Sequence, residues 1–174
     1  MKINSKTKIS IKKFKLEYIK TSNYLTWLKN KLVTKNLYRP ELLSSFSEKS
    51  IHKYVKNLKL SRNDFFFSIF LNKEMIGTVK VGHVDWHSKT GDIGIMIGEK
   101  KYWGKGYATV SIKKIVKFCK KDLKLRKIVA GTASNNIGMK KVFLQNGFKI
   151  EGVRKKHLLI LNRYYDHILF GKFI

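Results

Sequence analysis

Acidic residues are scarce in this chain: 11 Asp and Glu stand against 38 Lys and Arg, giving a net charge of +27 over 174 residues. Cysteine occurs once, at Cys119, which excludes an internal disulfide framework and points to a reducing compartment, the cytoplasm. Proline also occurs once, at Pro40, and no Pro-, Gly- or Ser-rich linker, repeat or low-complexity tract divides the chain. A single domain over residues 1–174 is therefore expected. No apolar run approaches the length needed to span a bilayer, so no membrane partner is expected. The opening MKINSKTKISIKKFKLEY alternates lysine with apolar residues and lacks the apolar core and small-residue cleavage site of a secretory leader.

What is present is a globular composition, 43% hydrophobic and 13% aromatic, enough to build one core. The positive charge has two readings. It attracts polyanions such as nucleic acid, ribosomes or phosphorylated ligands. Equally, the lysines are scattered along the whole chain, as a coding bias and a solvated surface would place them. No block of six like charges marks a nucleic-acid-binding tail.

Periodicity gives the elements. TKISIKKF (Thr7–Phe14) alternates as a strand. TSNYLTWLKNKL (Thr21–Leu32) and SEKSIHKYVKNLKL (Ser47–Leu60) have capping residues followed by helical spacing. Residues 64–84 read as two strands joined by a tight turn at Asn72–Glu74, and TGDIGIMIG (Thr90–Gly98) as a further strand with Ile93, Ile95 and Ile97 on one face. A helix from Tyr107 to about Lys121 carries Val110, Ile112, Ile115, Val116 and Cys119 as its apolar stripe. RKIVAGTA is a buried strand, and NNIGMKKVFLQNGF a helix opening near Asn135 or Asn136 and stopping at Gly147. FKIEGVR and YYDHILFGKF close the chain as strands. The fold class is α/β: one mixed sheet of about seven strands, antiparallel at the start, with a parallel crossover between the fourth and fifth strands, flanked by about four helices.

The sharpest feature is KYWGKGYA, where a strand runs through a glycine-rich turn into a helix. Helix N-termini carry unpaired N–H groups and partial positive charge, and glycine lets an anion approach the backbone closely. Gly104, Lys105, Gly106, Tyr107 and Ala108 are thus placed to wrap a phosphate. The spacing does not make a P-loop: Gly98 is one residue too distant, and Gly106 stands where a metal-binding hydroxyl is required. Nor does it make a dinucleotide fingerprint, since Thr109 occupies the third glycine position. A plain strand-to-helix turn is the bland alternative.

With the isoleucine-rich strand before it and NNIGMKKVFLQNGFKIEG after it, the loop resembles the GNAT superfamily of acetyl-CoA-dependent N-acetyltransferases. The likeness is to the branch of ribosomal-protein N-terminal acetylases and bacterial aminosugar acetylases. The family signature Gln/Arg-x-x-Gly-x-Gly/Ala reads here as Trp103-Gly104-Lys105-Gly106-Tyr107-Ala108, with Trp103 replacing the usual polar residue. The resemblance implies that acetyl-CoA is the co-substrate, with its diphosphate at Trp103–Ala108. Its pantetheine arm would lie along the backbones of Ile95, Met96 and Ile97, a strand N–H near Ile97 would polarise the thioester carbonyl, and Asn136 would bond the arm.

The resemblance also implies a direct attack in a ternary complex, with Asp92 as the base that deprotonates the amine. The position of the family's acidic tyrosine holds Phe143, which has no proton to give, so Tyr164 or Tyr165 is left to protonate the thiolate. GHVDWH places His83, Asp85 and His87 on one face if extended. With no fourth ligand, no metal is expected. Asp85 and Trp86 are instead candidates to border the acceptor, Asp85 holding a cationic amine and Trp86 stacking on a ring. Cys119, on the apolar stripe, reads as core. The expected acceptor is a nucleotide-linked aminosugar, with a protein N-terminus of ribosomal type as the alternative. A non-catalytic acyl-CoA- or nucleic-acid-binding module is the alternative of another class. Surface strands leave room for a homodimer.

Overall fold

The computed structural model describes residues 8–37 and 47–174. In chain order they form β1 (Ile9–Lys13), α1 (Tyr18–Thr21), α2 (Tyr24–Lys29), α3 (Lys31–Thr34), α4 (Glu48–Leu60), β2 (Phe65–Leu71), β3 (Glu74–Asp85) and β4 (Thr90–Ile97). After a 3-10 turn (Lys100–Tyr102) come α5 (Tyr107–Lys121), β5 (Lys127–Ala133), α6 (Ile137–Gln145), β6 (Lys149–Ile160) and β7 (Arg163–Phe173). The expected first strand keeps its span from Ile9, while Thr7 lies outside the described residues. The seven strands form one sheet in the order β1-β2-β3-β4-β5-β7-β6, and every pairing is antiparallel except β4 with β5. The α/β mixed sheet with a parallel crossover is thus the observed fold.

The helix count is higher than the sequence suggests. The single helix expected over Thr21–Leu32 is broken, and among the described residues there are six helices, not about four. Ser22 and Asn30 cause the breaks. Ser22 is extended and its hydroxyl bonds back to the Tyr18 carbonyl. Asn30 is also extended and accepts from the Leu32 N–H at 3.0 Å, so it caps a new turn instead of continuing the old one. Short polar side chains compete with the helix for backbone groups in this way.

Two cores flank the sheet. On one face Ile69, Val79, Val81 and Ile93 pack against Ile112, Ile115 and Cys119 of α5 and Phe143 of α6. On the other, Phe70, Met75 and Met96 meet Tyr24, Trp27, Leu28, Ile51 and Val55 of α2 and α4. Helices α1–α4 therefore cover the β1–β4 half of that second face.

Cys119 belongs to the first core, and burial pushes its thiol up to about 12. Only the thiolate reacts with aromatic disulfide reagents. Native protein is therefore expected to release no colour with such a reagent, and one thiol per chain once denatured. Prompt labelling of the native chain would contradict this placement.

Candidate functional site

The parallel pairing of β4 and β5 is short. It runs from Thr90 with Lys127 through Asp92 with Val129 and then ends, although both strands continue. Past that point the strands splay and the edge of β4 is left without a neighbouring strand. The Gly98 N–H turns back to the Ile76 carbonyl at 2.9 Å, on the β3 side. The Ile97 carbonyl points the other way, where it accepts from the Trp103 indole N–H at 2.9 Å. Main-chain groups alternate along a strand, so those of Ile95 face the splay as well.

A groove of about 610 Å³ opens there, and all ten residues expected at the cofactor line it: Ile95, Met96, Ile97, Trp103 through Ala108, and Asn136. Gly104 and Gly106 take φ of +71° and +80°, conformations that side chains disfavour. A Cβ on Gly104 would find no protein atom within 4 Å, so the space beside it belongs to the groove. Among the described residues, no hydrogen bond reaches the backbone N–H groups of Gly104 through Thr109. The first intrahelical bond runs from Val110 to the Gly106 carbonyl at 3.1 Å. Trp103 is the exception in the loop, since its own N–H is already bonded to the Lys100 carbonyl.

Six consecutive free amides at the start of a 15-residue helix make an anion cradle. The end of α6 fixes its position, for Thr109 Oγ1 contacts Gln145 Oε1 at 3.3 Å and Asn146 Nδ2 donates to the Thr109 carbonyl. Asn136 caps α6, accepting from the Met139 N–H at 3.2 Å, which leaves its amide nitrogen to the groove. The same wall holds Lys35 and Lys141, two cations that no local motif singles out.

A second cavity of about 700 Å³ continues through the splay, sharing Asn36, Leu37, Ile95, Asn136 and Met139 with the first. Asp92 lines it, with one carboxylate oxygen 2.8 Å from His83 Nδ1. Strand alternation puts Asp92, Val129, Gly131 and His167 on the same sheet face as Met96, beside and beyond the part that α1–α4 cover. Glu151 and Arg154 of β6 complete that wall. Glu151 is bound to Lys127 at 2.8 Å, while Arg154 makes no ion pair among the described residues.

Other expected residues stand elsewhere. Tyr164 sits near the tip of the β6–β7 hairpin, 66% exposed, and lines neither cavity, because β7 continues beyond the sheet's main body there. Tyr165 lines neither cavity as well. Phe143 does line the second cavity, held in a ring cluster with Phe148 and Phe170. Asp85 and Trp86 line neither cavity. Asp85 accepts from the Ser88 N–H at 2.9 Å, which holds its carboxyl below the ordinary range, and the Trp86 indole donates to Asn63. The extended face expected for His83, Asp85 and His87 is absent, because His83 is left-handed (φ +49°) and the β3–β4 register shifts between Gly82 and Asp85. Among the described residues no three His, Cys, Asp or Glu side chains converge as metal ligands.

Comparison with known proteins gives the family and the fold. The family model described as the acetyltransferase (GNAT) domain matches residues 11–149. The chain belongs to this family. It is 30% identical over 122 residues to the probable N-acetyltransferase YjcK of Bacillus subtilis (strain 168), covering 68% of this chain and 66% of that protein, slightly under two thirds of its length. It is 26% identical to the ribosomal-protein-serine acetyltransferase of Escherichia coli (strain K12), covering 86% of this chain and 80% of that one. Among solved structures, the spermidine N-acetyltransferase of Vibrio cholerae in complex with CoA and spermine superposes with a TM-score of 0.84 at 19% identity, covering 95% of each chain. RimL, a ribosomal L7/L12 α-N-protein acetyltransferase in complex with CoA, also gives 0.84, at 21% identity over 98% of this chain and 96% of that one. No helix among the described residues is long and apolar enough to cross a membrane.

Proposed function

We propose that this chain is an N-acetyltransferase that moves the acetyl group of acetyl-CoA to the terminal α-amine of a polypeptide. The observation that carries the reading is the continuity of the two cavities at the β4–β5 splay, one bearing the free amides of Gly104–Thr109 and the other bearing Asp92. Acetyl-CoA supplies an activated thioester. The amides, with Lys35, Lys105 and Lys141 beside them, would hold its diphosphate. The exposed main-chain edge at Ile95 and Ile97 would align its arm and polarise the carbonyl. Asp92 would hold the incoming ammonium from the opposite side.

Charge distinguishes the acceptors. Glu151 is paired with Lys127, so the charges left in the second cavity are the Asp92 carboxylate, hydrogen-bonded to His83, and the Arg154 guanidinium, on a chain of net +27. A peptide bearing carboxylates behind its amine can set the ammonium at Asp92 and a carboxylate at Arg154, whereas the further amines of a polycation such as spermidine meet the Arg154 guanidinium. The likeness to a ribosomal-protein-serine acetyltransferase over 86% of the chain supports the same choice. A nucleotide-linked aminosugar is the second reading, since its phosphates would also suit Arg154. Asp85 and Trp86, which would have favoured it, lie outside the cavities. The test measures CoA thiol release with acetyl-CoA and three acceptors: an acidic peptide with a free N-terminus, a nucleotide-linked aminosugar, and spermidine. The peptide is expected to give the highest kcat/KM. No thiol release with any amine overturns the proposed activity.

A further inference from the structure

His167 was not singled out by its sequence context, and nothing in the binding of acetyl-CoA uses it. It sits on β7 opposite Ala133, and its side chain lines the second cavity. The Nε2 end of the ring reaches β5: a Cβ on Gly131 would fall 2.1 Å from His167 Nε2, so the absence of a side chain at Gly131 is what admits the imidazole. The ring stacks on His157, with ring centroids 5.8 Å apart and planes 11° from parallel. Nδ1 is buried without a hydrogen-bond partner, and among the described residues Nε2 has none either. A histidine wedged between a glycine and a second ring, with neither nitrogen used by the fold, lacks a structural task for its polar atoms.

Resting on the acetyltransferase reading above, we infer that His167 is the group that takes the proton from the acceptor ammonium. The step balances without a further reagent. The ammonium proton passes to an imidazole nitrogen. The freed amine lone pair forms the C–N bond at the thioester carbon, and the C–S bond breaks with its electron pair on sulfur. The second amine proton neutralises the thiolate, and the imidazolium returns its proton to water. This leaves no separate task for Tyr164 and accounts for Phe143 at the position of the expected acid. It also moves the base from Asp92, which already shares His83, to a neutral imidazole on the same face of the sheet.

The surroundings keep the ring neutral before substrate arrives. Burial first, then the charge of His157 and that of Arg154, push His167 below the ordinary imidazole range. The groups facing it are His157 and Arg154 on β6, Glu151 neutralised by Lys127, and Asp92 across the cavity. Asp166, its chain neighbour, is occupied by the Lys155 ammonium and the Lys156 N–H. A base in this state is unprotonated at neutral pH, as general-base catalysis requires.

The experiment follows kcat/KM from about pH 5 to 9.5 for wild type, His167→Gln and Asp92→Asn, using the acidic peptide and saturating acetyl-CoA. Wild type should lose activity along an acid limb below the ordinary imidazole range. His167→Gln should fall at least tenfold near pH 7 with the KM for acetyl-CoA unchanged. The gap should narrow to within about threefold near pH 9.5, where an α-amine is already neutral in water. The acid limb should persist in Asp92→Asn, whatever its rate. A limb kept in His167→Gln and lost in Asp92→Asn overturns the inference, as does a His167→Gln deficit equal at both ends of the range. Should His167→Gln fail to fold, the wild-type profile decides: a curve without that limb overturns the assignment. A wild type that turns over no amine removes the acetyltransferase reading, and the inference with it. A wild type that turns over while His167→Gln matches it removes the inference alone.

Discussion

Gly104→Ala is expected to weaken acetyl-CoA binding at least tenfold while leaving the protein folded. The two effects separate because the two requirements on this residue differ. In the protein alone a Cβ at Gly104 meets nothing within 4 Å, so no neighbour has to move. What remains is the left-handed backbone at φ +71°, which costs an L-residue about 1–2 kcal/mol. For a chain of this length that is a fall in Tm of roughly 2–8 °C. A ligand held by the free amides of residues 104–109 would meet the methyl group directly, because the open space beside Gly104 lies in the groove they line. Either the methyl holds the diphosphate off the amides, or the loop relaxes and the amides lose their common focus. Loss of even one charge-assisted hydrogen bond is worth about 1.5–3 kcal/mol, tenfold or more in Kd. Titration calorimetry with CoA and a thermal melt test both halves. An unchanged Kd would mean that the cradle binds no phosphate. A collapse of Tm would mean that the glycine serves the fold instead.

The sequence showed this loop because its physics is local. Two glycines, a following helix and a preceding strand fix positive φ and free amides within six residues, and the structure places all ten expected residues on one groove. Helix α5 follows its apolar stripe and begins and ends where the pattern does. The second cavity was not legible, because no segment contains it. Asp92, Gly131, Arg154 and His167 come from four strands, and only the order β4-β5-β7-β6 brings them together. A histidine followed by Ile168, Leu169 and Phe170 looks like any strand residue; the cue lies in Gly131, whose partner across the sheet cannot be known before the register. Asp85 and Trp86 show the opposite case, residues that local reading set at the acceptor and that line neither cavity. Alternation placed His83, Asp85 and His87 on one extended face, but the left-handed His83 turned that segment into a bulged hairpin end. Tyr164 lines neither cavity for a related reason: its strand type was legible, but the length of the hairpin beyond the sheet was not.

The largest effect on stability is expected at Lys80, far from any motif. Its side chain is nearly buried on β3, and its ammonium lies 2.8 Å from Asp64 in the loop that leaves α4. Ser61, the C-cap of that helix, donates to the other carboxylate oxygen at 2.7 Å. The lysine chain occupies the place of a Gly82 side chain, since a Cβ there would fall 2.3 Å from its Cε. The pair therefore ties the α4 layer to the sheet. Burial would raise the Asp64 carboxyl, but the Lys80 and Ser61 contacts outweigh it and hold the group below its ordinary range. Lys80→Met keeps the volume and removes the charge, leaving a carboxylate that retains Ser61 and little solvent. Stranding a charge in a fully buried site costs 3–5 kcal/mol, so about 2–3 kcal/mol is expected here, a loss of roughly 5–10 °C in Tm. The sign of the pH dependence follows from the direction of the shift. A depressed carboxyl contributes stability above its unfolded value, about 3.9, and loses it as pH falls through the folded value. In Lys80→Met burial alone acts on Asp64, so protonation relieves the variant. The gap between the proteins should be widest above about pH 5 and should close towards pH 3. The double variant Asp64→Leu/Lys80→Met, with neither charge left to desolvate, should recover most of the loss. A gap of equal size at pH 7 and pH 3 would show that Lys80 contributes packing rather than charge, and a double variant no better than the single one would say the same.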